Sequence, residues 1–134
     1  MVEPHFEGAT LRGRYAFHLG EPPSNEWDGY EYTLCFNSAR VTGELGIYGI
    51  SNTIDKLSLA HASVHGDLVL VDMKGSPDTS GRWHVDCRGL RVTGGIYARY
   101  LEQLVFLVND ETIARRIHWA APGCSVVYLP PGEE

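Results

Sequence analysis

Apolar and polar residues alternate with a period of two along most of this chain, and no other feature narrows the possible folds as far. In LRGRYAFHL one parity carries Leu11, Gly13, Tyr15, Phe17 and Leu19, and the other carries Arg12, Arg14, Ala16 and His18. That contrast is the mark of a strand with one face buried. YEYTLCFN sets Tyr30, Tyr32, Leu34 and Phe36 against Glu31, Thr33, Cys35 and Asn37. ARVTGELGIYG aligns Val41, Gly43, Leu45 and Ile47, and DKLSLAHAS puts His61 on the side of Leu57 and Leu59. DLVLVDMK is apolar on both sides and reads as a strand covered on both. RWHVDC, GIYARY, LVFLVN, TIARRIHW and SVVYLP are further strand candidates.

Turn-forming stretches separate these runs: GEPPSNEWDG, HGD, GSPDTSG, NDE and APG,. VNDET, between two apolar runs, reads as a tight hairpin. No stretch shows a helical period, and YLEQLVFLV is the one place where a short helix competes with strand. The expected fold is therefore all-β: one domain over residues 1–134, an antiparallel meander of about eight to ten strands. A sheet of that size removes its edges by closing into a β-barrel or nearly so, with a two-sheet β-sandwich as the alternative. The first strand followed by glycine-punctuated strands is similar in outline to lipocalin-like and avidin-like barrels, a calycin-like look. The likeness carries no residue roles over to this chain.

The tetrapeptide RVTG occurs twice, at Arg40–Gly43 and Arg91–Gly94, and each copy is soon followed by Ile-Tyr, at Ile47-Tyr48 and Ile96-Tyr97. At the 51-residue offset of the first pair, Tyr32 falls on Trp83 and Leu34 on Val85, but the Ile-Tyr pairs are 49 apart. Two copies that slip argue against a solenoid, which needs three or more repeats to bury a continuous core. A phosphate-binding loop needs a lysine after its glycines, and TGELGIYGI has none. The expectation is a strand whose glycine permits a bulge or a barrel bend.

With 11 basic and 17 acidic side chains the formal charge is −6. An acidic chain without a basic run argues against nucleic acid and against anionic membranes as partners. Cys35, Cys87 and Cys124 form no C-x-x-C pair, and three is an odd number. Reduced thiols, and so a bacterial cytoplasmic setting, are expected. The opening MVEPHFEGAT has no apolar core of a secretory signal,.

Candidate chemistry comes from polar residues on parities that otherwise look buried. His61 follows Leu57 and Leu59, Asp72 follows Leu68 and Leu70, and Arg115 lies between Ile113 and Ile117. An ionisable group facing a core needs a partner or a wet cavity. In a barrel the three would converge in the lumen, with Tyr15, Tyr30, Tyr32 and Phe36 as aromatic wall and Trp27 closing the mouth from a long acidic loop. The first functional expectation is a small-molecule-binding barrel holding a mostly apolar or aromatic ligand with Tyr15, Tyr30, Tyr32, Phe36, His61, Arg115 and Trp27. The second is a cofactor-independent isomerase, cyclase or dehydratase with His61 as general acid–base, Asp72 orienting it and Arg115 stabilising negative charge. The third is an interaction module with a filled core that forms a homodimer. No metal is expected, because His61-x-x-x-His65 has alanine where a zinc-binding helix carries glutamate,.

Overall fold

The computed structural model describes residues 6–18, 31–75 and 83–129, without the side chains at 18, 31–33, 50–53 and 55. In chain order the elements are β1 (Thr10–Leu11), β2 (Tyr15–His18), β3 (Glu31–Cys35), β4 (Arg40–Val41), β5 (Leu45–Ser58), β6 (Ser63–Val64), β7 (Leu68–Gly75), β8 (Val85–Asp86), β9 (Arg91–Val92), β10 (Ile96–Glu102), β11 (Val105–Val108), α1 (Glu111–Ala120) and β12 (Ser125–Tyr128). Every pairing among them is parallel. The antiparallel meander, the closed calycin-like barrel and the sandwich are all overturned by this finding.

The chain instead winds as a solenoid of four coils with three faces. The first face stacks β1, β4, β6 and β9. The second stacks β2, the start of β5, β7 and β10. The third stacks β3, the end of β5, β8, β11 and β12. Parallel neighbours need a crossover of a dozen or more residues, usually a helix. Here the crossover is the rest of the coil, so the outer faces stay open to water. That is why these strands keep the half-buried alternation that otherwise points to antiparallel sheets.

Inward positions line up between coils as continuous apolar columns. Leu11, Val41, Val64 and Val92 form one on the first face. Tyr15, Leu45, Leu68 and Ile96 form another on the second. Leu34, Leu57, Val85, Phe106 and Val126 form a third on the last face. Nine of these side chains are buried, and Leu11, Tyr15, Ile96 and Val126, at the ends of the columns, are partly buried against them. The void they leave beneath α1 measures about 10 Å³, no more than one water molecule needs. Among the described residues the interior is a packed core and not a lumen.

The repeated RVTG finds its explanation here. Its glycines belong to a column of four, Gly13, Gly43, Gly66 and Gly94, in TLRG, RVTG, SVHG and RVTG. A Cβ on Gly66 would sit 2.7 Å from the backbone carbon of Gly43, and one on Gly94 2.7 Å from that of Gly66. Successive coils therefore touch backbone to backbone at this corner, with Gly66 N donating to Gly43 O at 3.1 Å and Gly94 N to Gly66 O at 2.9 Å. Nor does the register slip at Ile-Tyr: Leu45 and Ile96 both pair with Leu68, so the 51-residue offset holds. The 49-residue spacing is a coincidence of letters.

Two other expectations change. TIARRIHW is helix α1, and VNDET is its start: Asp110 Oδ1 accepts from Thr112 N at 2.7 Å and Ile113 N at 3.2 Å, satisfying two of the amides that begin a helix. Ile113 and Ile117 are buried while Arg115 and Trp119 are exposed, so the period is that of a helix, i to i+4. YLEQLVFLV, the candidate helix, forms parts of β10 and β11.

Replacing Gly66 by Ala forces two backbones apart and should cost about 1–3 kcal/mol, as overpacking does. Gly123→Ala, which meets nothing within 4 Å, should leave the unfolding midpoint in urea nearly unchanged. A second test concerns Cys87, buried in the core, where loss of solvent and then the charge of Asp86 hold the thiol well above its usual 9.0. Below pH 9 both folded and unfolded chains keep that proton. Above it the unfolded chain releases the proton and the folded chain does not, so stability falls with rising pH by about 1.4 kcal/mol per unit. Denaturation curves from pH 8 to 10 should show this slope setting in above pH 9 in the wild type, and its absence in Cys87→Ala.

Candidate functional site

Each coil turns from the third face to the first through one residue with left-handed backbone: Gly8, Ser38, His61 and Gly89, at φ 69°, 58°, 59° and 69°. Such a residue breaks the strand parity, because its side chain leaves the face that its neighbours share. His61 is exposed for that reason, although Leu57 and Leu59 before it are buried. Its ring lies over the next coil, so close that a Cβ on Gly89 would meet the imidazole. Asp72 is a second case, at φ 60°, stacked in register with Tyr100 at φ 58°. Two of the polar residues that seemed to face the core, His61 and Asp72, are corner residues.

Arg115 stands on α1, exposed and 3.8 Å from Glu111. Its concavity, shared with His118 and Trp119, has no residue in common with the one lined by His61, Ser63 and Asn109. His61, Asp72 and Arg115 are thus not brought together. Of the expected aromatic wall, Tyr15 and Phe36 do belong to one cluster, linked through Phe17 at 6.2 Å and 5.2 Å. Phe6 completes it, 4.8 Å from Phe17 and stacked 5.1 Å from Phe36. Phe36 is fully buried, whereas Phe6, Tyr15 and Phe17 are half-buried. The cluster ends the core at the first coil. Trp27 and Tyr30 lie outside the described residues, as does the side chain of Tyr32.

The last coil is finished differently. Helix α1 packs against β10, β11 and β12, and Ile117 and Ala121 close the core. Arg116 donates through Nη1 to Val92 O at 2.9 Å and through Nη2 to Gly94 O, capping the carbonyls of β9 that a fifth coil would otherwise take. Asn109 Oδ1 accepts from Gly89 N at 3.0 Å and ends the corner ladder in the same way. On the third face β12 adds one more strand and is itself the outer edge.

The outer surface of the first face carries the remaining candidate chemistry. One column runs Thr10, Arg40, Ser63, Arg91 and the next runs Arg12, Thr42, His65, Thr93. Arg40, Ser63, His65, Arg91 and Thr93 line one concavity. This cationic, hydroxyl-rich face in a chain of charge −6 escaped the reading of polar groups on buried parities, because its residues point outward. The signal for it was in the first and third letters of RVTG. Among the described residues no group of three metal-binding side chains gathers, and no helix is long and apolar enough to cross a membrane.

The cap at β9 gives a direct test. Arg116→Ala leaves two carbonyls without their charged donor and should cost about 1–3 kcal/mol. Amide hydrogen exchange should rise first in β9 and β10 and leave β4 and β5 protected. Uniform loss of protection would mean that the guanidinium is not a local cap.

No family model matches this chain, and neither the curated proteins nor the solved structures contain a match to it.

Proposed function

We propose that this protein is an interaction module that pairs with a second copy of itself, first coil against first coil. The observation that carries the reading is the difference between the two ends of the solenoid. At the last coil a helix, Arg116 and Asn109 take up the backbone groups of β9 and its corner. At the first coil β1, β2 and β3 each pair on one side alone among the described residues, and the half-buried rings of Phe6, Tyr15 and Phe17 lie there. Stacked coils depend on capping to stay soluble, and an unpaired strand edge is a template for another chain.

The cap also selects the partner. Head-to-tail stacking of first coil on last coil would have to displace α1, so an open filament is disfavoured. A two-fold arrangement that joins the two first coils buries aromatic cluster on aromatic cluster and closes after two copies. The filled interior supports this reading over a ligand held in a lumen. A reaction centred on His61, Asp72 and Arg115 draws no support from their separation.

Bonds already made show which edge atoms remain. Ala9 O and Leu11 O accept from Arg40 N and Thr42 N, and Tyr15 N donates to Glu44 O. By the alternation of a parallel ladder, the backbone groups of Thr10 and Ala16 point away from the second coil. Sedimentation equilibrium should give twice the chain mass of 14.9 kDa. Thr10→Pro and Ala16→Pro remove a donor that the fold itself does not use, and should yield a monomer with an unchanged circular dichroism spectrum. A wild type that stays monomeric up to its solubility limit, or proline variants that dimerise as well as the wild type, would refute the proposal.

A further inference from the structure

Of the four letters of RVTG, packing explains two. Val41 and Val92 fill the core column, and Gly43 and Gly94 permit the close stack. Arg40 and Arg91 point outward and are exposed, as are Thr42 and Thr93. The fold does not require them: the intervening coil has Ser63 and His65 at those places, and the first coil has Thr10 and Arg12.

Arg40 and Arg91 flank Ser63 in register, one coil on either side. Their backbones are therefore two strand spacings apart, about 9–10 Å. Two arginine side chains rooted at that distance can converge above the serine between them. Both line the same concavity with Ser63, His65 and Thr93. Neither makes an ion pair among the described residues, where the bridges are Arg14 to Glu44, Arg88 to Asp86 and Arg115 to Glu111. The acids nearest along the chain, Glu44 to Arg40 and Asp86 to Arg91, are the ones held in the first two of these bridges, while Asp67 Oδ1 accepts from Gly95 N and Asp110 caps α1. Arg116, already bonded to the backbone of β9 and the glycine after it, adds positive charge at the rim.

We propose that Arg40, Ser63 and Arg91 form a binding site for a tetrahedral oxyanion, a phosphate or sulfate group. Two guanidinium forks approaching from opposite sides, with a hydroxyl beneath and the His65 ring beside it, offer donors to more than two oxygens. A carboxylate has two, whereas phosphate and sulfate have enough for both forks and the serine. The site lies on the first face and is independent of the pairing of the first coils.

The test is titration of the full chain with sodium phosphate, sulfate and acetate at constant ionic strength, followed by amide NMR shifts. Phosphate and sulfate should shift Ser63, Val64, His65, Arg91 and Thr93 in a saturable way, and acetate should bind at least tenfold more weakly. Arg40→Ala and Arg91→Ala should each weaken binding about tenfold, while Arg99→Ala, an exposed arginine on β10, should not. Phosphate binding that strengthens relative to sulfate binding as pH rises from 5.5 to 7.5, through formation of the dianion, would identify a phosphate site, because any change in the charge of His65 acts on both anions alike. A ratio that stays constant over that range would identify a site that reads tetrahedral shape alone. Shifts spread over all arginines, equal loss in Arg99→Ala, or acetate binding as well as phosphate would overturn the proposal.

Discussion

The contact of backbone on backbone at the glycine corner sets the geometry of everything else. Gly43, Gly66 and Gly94 stack on the glycine of the coil before, Gly13 at the start, without room for a Cβ, and this brings consecutive coils to hydrogen-bonding distance at a fixed rotation. Once the corner is fixed, Val41, Val64 and Val92 must fall in one column and Leu45, Leu68 and Ile96 in the next. The core is thus a consequence of the ladder and not a separate achievement of side-chain shape. The left-handed corner of Gly8, Ser38, His61 and Gly89 serves the same end from the other side of the first face. It bears the strain of two non-glycine residues in left-handed backbone, Ser38 and His61, so that the short strands between corners can stay straight.

Because each coil contacts mainly its neighbours, the two ends decide the behaviour of the whole. The last coil answers its open backbone with an arginine, an asparagine and an amphipathic helix. The first coil has aromatic rings and strand edges. The same asymmetry separates the surfaces by role. In the proposed pairing the ends carry association, while the flat first face is free to present the same residue at intervals of one coil.

Much of the inside of this protein was legible in the sequence. Leu34, Phe36, Val41, Leu45, Ile47, Leu57 and Leu59 were assigned inward by alternation and are buried. What alternation cannot carry is direction: a half-buried strand looks the same whether its neighbour runs with it or against it. The repeat was visible in only two of its four copies, because TLRG and SVHG keep just the aliphatic residue and the glycine. Parity failed wherever a left-handed residue interrupted it, which is how His61 and Asp72 came to look buried. In TIARRIHW isoleucines four apart satisfy both periods, and the cap at Asp110 was the deciding sign. The oxyanion site was overlooked since a search for polar groups on buried faces passes over those that point to water.

The corner between the second and third faces behaves unlike the other two. In the second coil β5 runs through it unbroken from Leu45 to Ser58, and the number of chain steps between aligned positions on the two faces differs from coil to coil: 57 − 45 = 12 from Leu45 to Leu57, 85 − 68 = 17 from Leu68 to Val85 and 106 − 96 = 10 from Ile96 to Phe106. The pairings on both sides are nevertheless kept, Leu45 with Leu68 and Leu57 with Val85. Chain length at this corner is therefore uncoupled from the ladder. It is a natural graft point, where a peptide epitope, a protease site or a reporter could be displayed on the solenoid while its columns keep their alignment.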